Sequence, residues 1–488
     1  MPSVSSKKDD SAKGFVGSVV KFSIPTFINV GLLGIALIIQ LGIDPDIMGP
    51  VGNFINWTNS LMTIVVLGLD QALIRFYNEP PKGLDSKGLF RLCFYFSSTF
   101  LLIAGLIGSV FFQNALAKIL GIGSLGEWTV PLLFLNVFFY LIARYFNVMF
   151  RMQMNVLWYG VETVLMQFFY RLFYLLGYWF NNPMRSMMFC SVLGLATLAL
   201  VLVVMQRRTI KPKIAEFKSS TYKKILPYAL AIAPTGILYT LNSSVIGSFL
   251  LNALGKGANG IYNNAYTLSN VVSMIQLGFA AFWGAYVFEN YKTQKEHIMK
   301  MHDMLNLAVL VFFAFLIAFQ DIIFIIFPKY SEAQTIFPLM MLAAVFTILC
   351  ETTVYGNAIA KRPIFDTIGI GLAFTVNVVG CVLLVTTFGF GLTGAAIALA
   401  LGNGAMYIMR TITAQRLYRT IRTPAKSIAA IVLAVALTVL GTIFAGQFLL
   451  KLLCCITASI LYCIMYRKEL IRGWRLILST VRGLLHRA

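Results

Sequence analysis

Residues 225–252 read ILPYALAIAPTGILYTLNSSVIGSFLLN, an apolar stretch without a single charged side chain. A helix needs ~20 apolar residues to cross a bilayer core of ~30 Å, so this stretch is long enough to span a membrane. Fourteen such stretches fill the chain, at 15–41, 51–77, 88–112, 130–150, 157–180, 184–206, 225–252, 260–288, 303–327, 334–357, 364–387, 392–414, 427–446 and 448–466. With 59% hydrophobic residues and a mean hydropathy of +0.81, the composition is that of a polytopic membrane protein.

The second six predicted spans repeat the first six. Lys223-Lys-Ile-Leu-Pro227 opens the seventh span as Lys21-Phe-Ser-Ile-Pro25 opens the first, and Leu277-Gly278 corresponds to Leu67-Gly68. Because each repeat has an even number of spans, both halves share one orientation, with a pseudo-two-fold axis along the membrane normal and a substrate path between them. We therefore predict an all-α fold of two parallel six-helix lobes followed by two further helices. The expected divisions are a tail at 1–14, an N-lobe at 15–206, a basic linker at 207–224, a C-lobe at 225–414, spans 13 and 14 within 415–466, and a C-terminal helix at 467–488.

Basic residues are concentrated in the loops of one face of the predicted bundle. The few near the other face are Lys118, Arg185, Lys256, Lys329 and Lys451. By the positive-inside rule the basic face is cytoplasmic, with both termini inside. The net charge of +21 is spread over short loops and tails, so it does not indicate a nucleic-acid partner.

The segment 467–488 has the pattern of an amphipathic helix. Its apolar positions, such as Leu470 and Trp474, fall on one face, and basic positions such as Lys468 and Arg475 fall on the other. This pattern predicts a helix on the anionic lipids of the inner leaflet, with packing on the bundle itself as the alternative.

Nothing in the sequence indicates an enzyme, a cofactor or a metal site. His297, His302 and His486 have no Cys, Asp or Glu at metal-ligand spacing, and no glycine-rich phosphate loop is present. The loops are too short for a soluble ATPase domain. A membrane-embedded glycosyltransferase would usually bring a large outer loop with catalytic residues, which is missing here. A transporter is the expected class.

Ionisable residues within the spans are costly in hydrocarbon and mark candidate functional positions. Arg171 lies close to the midplane of the fifth span, where a guanidinium could bind a phosphate or carboxylate bidentately or pair with a neighbouring helix. Arg144 and Glu162 lie at similar depth on consecutive spans and are predicted to form an ion pair, with a role in a cavity wall as the alternative.

A second set of charged residues lies nearer the cytoplasmic side. Lys21 and Asp70 match in depth across the first two spans, and Arg75 lies about one turn beyond. We predict a gate pair or cavity residues, with plain pairing between helices as the alternative. Glu351 in the tenth span is a candidate for binding a coupling proton or sodium ion; hydrogen bonding to backbone or to Thr352 and Thr353 is the alternative.

Proline and asparagine residues complete the candidate set. Pro25, Pro227 and Pro234 interrupt the first helix of each lobe, which predicts bends in two equivalent gate helices. Amide side chains suit sugar hydroxyls but also join helices. The candidates are Asn29, Asn242, Asn263 and Asn264.

Three segments resemble the polysaccharide-transporter branch (Wzx-type flippases of O-antigen and capsule repeat units) of the multidrug/oligosaccharidyl-lipid/polysaccharide (MOP) superfamily. Gly68-Leu-Asp-Gln-Ala-Leu-Ile-Arg-Phe-Tyr-Asn-Glu79 is similar to the end of its second span. Gly260-Ile-Tyr-Asn-Asn-Ala-Tyr266 and Gly391-Leu-Thr-Gly-Ala-Ala-Ile-Ala398 are similar to the entries to its eighth and twelfth spans. The 6+6+2 layout of spans extends the resemblance over essentially the whole chain.

The resemblance implies a flippase for undecaprenyl-diphosphate-linked oligosaccharides, acting by alternating access in a bacterial cytoplasmic membrane. Arg171, Arg144 and Arg75 would then bind the phosphates. We expect a monomer that works beside glycan polymerase or assembly proteins. A lipid II flippase and a cation-coupled drug exporter of the same superfamily are the alternatives, although an exporter would place carboxylates rather than Arg171 at the midplane.

Overall fold

The computed structural model describes residues 25, 28–122, 126, 128–213, 219–270, 283–284, 286–360, 362 and 364–471. Every regular element in this part of the chain is helical, which confirms the all-α prediction. The α-helices are α1 (Ile28–Gly42), α2 (Pro45–Val66), α3 (Leu69–Phe76), α4 (Ser86–Phe111), α5 (Gln113–Ile119), α6 (Thr129–Met152), α7 (Val156–Arg171), α8 (Pro183–Met205), α9 (Arg207–Ile210), α10 (Ser219–Ala253), α11 (Lys256–Ser269), α12 (Lys295–Ile326), α13 (Ala333–Thr353), α14 (Tyr355–Ile359), α15 (Ile364–Val382), α16 (Gly391–Leu417), α17 (Pro424–Ile443) and α18 (Phe448–Met465). Phe173–Trp179 and Pro328–Tyr330 are 3₁₀-helices, and Leu383–Thr387 is a π-helical turn.

The protein is a multi-pass membrane protein. Ten helical segments in the described chain are long and apolar enough to cross a bilayer, and the bent pair α2–α3 adds an eleventh span. These correspond to predicted spans 2, 3, 4, 6, 7 and 9 to 14. Predicted spans 1 and 8 lie partly outside the described residues, and span 5 is divided into α7 and a 3₁₀-helix. The count of fourteen therefore stays a prediction, as do the orientation and the C-terminal helix, most of which lies outside the described residues.

Polar residues fix several helix starts. Asp44 accepts the backbone N–H of Asp46 at 2.9 Å, and Pro45 occupies the first position of α2, where its missing N–H costs nothing. Asp85 caps α4 in the same way through the N–H of Gly88, at 2.6 Å. These caps define the residues at which α2 and α4 begin.

The second span is broken at Leu67-Gly68. Both residues are left-handed, with φ of 49° and 74°, and the axes of α2 and α3 differ by 54°. A Cβ added at Gly68 would lie 2.4 Å from the carbonyl oxygen of Ala229 on α10. Only glycine combines a positive φ with so close a backbone approach, so Gly68 determines where the span bends.

Two compact units make up the chain, Met1–Gly260 and Ile261–Ala488. In the first unit, α10 packs along α2 through polar contacts between the Ser60 and Ser244 hydroxyls (2.7 Å) and from Trp57 Nε1 to Ser248 Oγ (2.7 Å). The seventh span belongs to the second repeat by sequence but packs with the first unit. The predicted division into lobes at 207–224 follows the sequence repeat rather than the packing of the helices, and it stays a prediction.

Buried charges attach the last two helices to α12 within the second unit. Lys451 on α18 donates to the carboxylate of Asp321 on α12, and both side chains are buried. At the other end of the helices, Lys426 on α17 pairs with Glu469 at 3.2 Å and lies 3.9 Å from Asp303 on α12. Since stranding either charge in the bilayer would be costly, these pairs hold α17 and α18 in one register on α12.

Candidate functional site

The break in the second span positions Asp70 in the first turn of α3. The carboxylate accepts the backbone N–H of Gln71 at 2.8 Å, and the positive end of the helix dipole favours its negative charge. Its side chain is 11% exposed. The Asp70 carboxylate thus lies directly after the bend between α2 and α3, and a change in the angle of this bend would move it.

Arg144 on α6 is the cation that faces Asp70. Its terminal nitrogen lies 2.9 Å from Asp70 Oδ2, and 33% of the side chain is exposed. The Nε of Arg144 is buried and has no hydrogen-bond partner within the described part of the chain. The predicted partner of Asp70, Lys21, lies outside the described residues, so that pairing is untested.

The predicted ion pair between Arg144 and Glu162 stays a prediction: among the described residues Arg144 contacts Asp70 within 4.0 Å, while the charges of Arg144 and Glu162 still act on each other. Glu162 on α7 is 2% exposed and accepts a hydrogen bond from Asn147 Nδ2, which also donates to Thr163 Oγ1 at 2.7 Å. Its Oε1 is buried without a partner. The bend at Gly68 separates α3 from α2, and Asp70 in the first turn of α3 contacts Arg144.

Arg171 is the last residue of α7, where the α-helix gives way to the 3₁₀-helix Phe173–Trp179. Its Nε donates to Gln167 Oε1 at 2.7 Å, one turn earlier on the same helix. No carboxylate of the described chain lies within 4.0 Å of its guanidinium. Arg171 is therefore half-buried at the end of α7, oriented by a neutral amide, and no carboxylate of the described chain neutralises it.

Tyrosine side chains connect Arg171 and Arg144. The rings of Tyr140 and Tyr170 stack with their centroids 4.7 Å apart. The charges of Arg144 and Arg171 both act on the hydroxyl of Tyr140, and Arg171 also acts on those of Tyr170 and Tyr174. We name these five residues the arginine–tyrosine cluster. The tyrosines were not predicted, although Tyr140 precedes Arg144 by four residues and therefore shares its helix face.

The remaining predicted residues of the first unit lie on α3, α1 and α10. Arg75, at the end of α3, is 55% exposed and lies 3.6 Å from Glu79. The Oδ1 of Asn29 on α1 is buried and has no hydrogen-bond partner among the described residues. Asn242 is half-buried on α10.

The two predicted gate prolines lie close to the same helices. Pro25 packs near α7, since a Cβ added at Gly160 would lie 3.2 Å from its ring. Pro227 is inside α10, two residues before Ala229, which contacts the break at Gly68. The gate helices of the prediction therefore meet the segments that carry Glu162 and Asp70. Their movement stays a prediction.

Three predicted residues belong to the second unit. The side chain of Asn264 is buried and donates to the Tyr330 hydroxyl at 2.7 Å, so it is engaged in packing. Asn263 and Glu351 are half-buried, on α11 and α13. No group of three or more His, Cys, Asp and Glu side chains that could hold a metal occurs among the described residues.

Solved membrane transporters have a similar fold. The inward closed conformation of the lipid II flippase MurJ matches with a TM-score of 0.71 at 13% identity, over 92% of this chain and 100% of that one. An inward-facing multidrug resistance MATE transporter of the MOP superfamily matches with a TM-score of 0.53 at 15% identity, over 82% of this chain and 97% of that one. A MATE protein in complex with MaL6 gives a TM-score of 0.55 at 17% identity, over 82% and 95%.

These matches show that the chain shares its fold with these transporters. No protein-family model and no curated protein matches the sequence. The predicted fold is confirmed, while membership of the superfamily and of its polysaccharide branch stays a prediction.

Proposed function

We propose that this protein is a flippase that moves an undecaprenyl-diphosphate-linked oligosaccharide across a bacterial cytoplasmic membrane by alternating access. O-antigen, capsule or related repeat units are the intended cargo. The observation that carries the proposal is Arg171, a cation within a span that has no carboxylate partner in the described chain and is oriented by Gln167. An uncompensated guanidinium at that depth is costly unless an anion visits it.

A diphosphate suits the arginine–tyrosine cluster chemically. Arg171 and Arg144 offer two guanidinium groups that share Tyr140 as a neighbour, and each can donate two parallel hydrogen bonds to one phosphate. The tyrosine hydroxyls can donate to the remaining phosphate oxygens. The polyprenyl tail can stay in lipid while the diphosphate and sugar pass through the protein. The site therefore has to offset only the desolvation of the diphosphate and sugar.

Asp70 supplies a reason for the site to release its substrate. In the structure it occupies Arg144 at 2.9 Å, so an incoming phosphate must compete with it. When the substrate leaves, Asp70 closes on Arg144 again and the site returns to a neutral pair. This exchange lets substrate occupancy alter the contact between α3 and α6, which is the kind of differential contact that shifts a conformational equilibrium.

The remaining parts of the proposal come from the sequence. Gate helices with Pro25 and Pro227 would open the site to one leaflet at a time, and Arg75 and Asn29 would extend it towards the cytoplasmic side. Glu351 would bind a coupling proton or sodium ion, which a comparison of transport in sodium-free and sodium-containing buffer can decide. The protein would act as a monomer with cytoplasmic termini.

A lipid II flippase is the second candidate, favoured by the match to MurJ over 92% of this chain. Its cargo also carries a diphosphate, so the cluster serves both functions. A cation-coupled drug exporter is less well supported, because Arg171 would repel a cationic drug and Asp70 is already held by Arg144.

Complementation separates the two candidates. The gene is expressed in one strain that lacks its O-antigen or capsule flippase and in another depleted of its lipid II flippase, with membrane expression measured in both. Growth or surface glycan restored in the first strain alone supports the proposal. Rescue of the second strain alone would replace it with the alternative, and rescue of neither, at normal expression, would contradict both.

A further inference from the structure

Three cations lie together where α8 ends and α9 begins. Arg207, Arg208 and Lys211 are exposed, and none forms an ion pair with a carboxylate in the described part of the chain. Together with Tyr95, Val203, Ile210 and Pro212 they line a groove of ≈ 430 Å³. The groove belongs to the first unit and is far along the chain from the cluster residues Tyr140 to Tyr174.

The backbone that carries these cations is fixed to α4. Arg91, which is almost fully buried, donates to the carbonyl oxygen of Thr209 at 3.0 Å. The hydroxyl of Tyr95, one turn further along α4, donates to the carbonyl oxygen of Ile210 at 3.0 Å. Because two side chains of one helix hold consecutive carbonyls, the turn between α8 and the linker has a defined position. The cations therefore form a preorganised group at the groove.

The surface beside the groove is hydrocarbon-like. On α8, Leu200 and Val204 are 66% and 60% exposed, so they face lipid in a membrane-spanning helix. The three cations of the groove thus lie next to the exposed apolar face of α8. A free phosphate or a soluble polyanion would use the cations but leave the apolar side unused, whereas a phospholipid uses both.

We propose that this groove binds the headgroup phosphate of an anionic phospholipid, with an acyl chain along α8. The lipid phosphate would accept from Arg207, Arg208 and Lys211, and Tyr95 would border the glycerol region. The site is at the start of the basic segment 207–224, so a bound lipid would hold that end of the segment at the membrane surface. The proposal does not depend on what the protein transports.

Lipid retention by the full-length protein tests the proposal directly. Purified protein is equilibrated with mixtures of phosphatidylcholine and phosphatidylglycerol, and bound lipids are counted by native mass spectrometry. The variant Arg207→Gln/Arg208→Gln/Lys211→Gln should bind phosphatidylglycerol on the order of 100-fold more weakly, because each cation near a membrane surface contributes roughly a fivefold step. Tyr95→Phe keeps the charge but releases Ile210, and should weaken binding by a smaller factor.

Matched controls distinguish a site from diffuse attraction. Lys82→Gln/Lys87→Gln/Arg151→Gln removes the same charge from exposed positions of the same unit and should leave phosphatidylglycerol retention unchanged. Equal loss in both triple variants, or no loss in the first, would overturn the proposal. So would displacement of the lipid by millimolar inorganic phosphate, since the groove would then recognise the phosphate alone.

Discussion

Replacing Asp70 with Asn should tighten the binding of a diphosphate while slowing transport. Asn keeps the acceptor for the Gln71 N–H but no longer holds Arg144 by charge. A hydrogen bond to a charged group contributes about 1.5–3 kcal/mol, and since a third of Arg144 is exposed we take the lower value. A substrate that no longer has to displace Asp70 should therefore bind roughly tenfold more tightly, as about 1.4 kcal/mol is one factor of ten.

The assay measures two quantities on the same variant. Affinity for a short-chain prenyl diphosphate is determined by calorimetry on protein in nanodiscs, and transport is determined by complementation with membrane expression recorded. Transport should fall because the variant lacks the group that takes Arg144 back from the substrate.

Two further variants make the result decisive. Asp46→Asn removes one negative charge from an exposed position of the same unit, and should change neither quantity. Asp70→Asn/Arg144→Gln should lose the gain in affinity, since the gain requires a free Arg144. Unchanged or weaker binding in folded Asp70→Asn would refute competition between Asp70 and the substrate.

Three other substitutions test the site and the fold. Transport should be highest with Arg at position 171, lower with Lys and lowest with Gln or Ala, at constant protein level, because Lys keeps the charge but lacks the bidentate fork. An Arg171→Ala variant that is active in complementation would exclude a role of Arg171 in substrate binding. Gly68→Ala should lower the melting temperature far more than Gly83→Ala, since both glycines have positive φ but only Gly68 meets a backbone carbonyl at 2.4 Å; equal shifts would mean that the close contact is unimportant. Lys451→Met should cost about 3–5 kcal/mol of stability by stranding Asp321, and Lys451→Met/Asp321→Leu should recover most of it in thermal unfolding, whereas no recovery would argue against an ion pair.

Much of the fold could be predicted because a bilayer makes hydropathy nearly sufficient for locating spans. Eleven of the predicted spans have a counterpart in the described chain. Arg171 belongs to predicted span 5, which is not one of the eleven, and its charge among apolar neighbours is visible from the sequence alone. The partner of Arg144 could not be predicted, because depth does not give the direction in which a side chain points. That direction depends on the bend at Leu67-Gly68, which in turn depends on the approach of α10 from a distant part of the sequence.

The tyrosines of the cluster were missed for a different reason. Aromatic residues make up 14% of the chain, so their presence in a span carries little information by itself. A search for polar side chains at helical spacing from each intramembrane Arg would find Tyr140 four residues before Arg144 and Gln167 four residues before Arg171. The groove at Arg207 depends on bonds from Arg91 and Tyr95, which no local pattern indicates.

The buried pair between Lys451 and Asp321 constrains how the protein is made. α12 leaves the ribosome long before α18, so Asp321 enters the membrane without its cation and keeps an unpaired carboxylate until the last helix arrives. Insertion of α18, with its own buried cation, becomes favourable once the two meet. A chain that is truncated before Phe448 would keep the Asp321 carboxylate unpaired permanently. A membrane protease could recognise that exposed charge and degrade the incomplete chain.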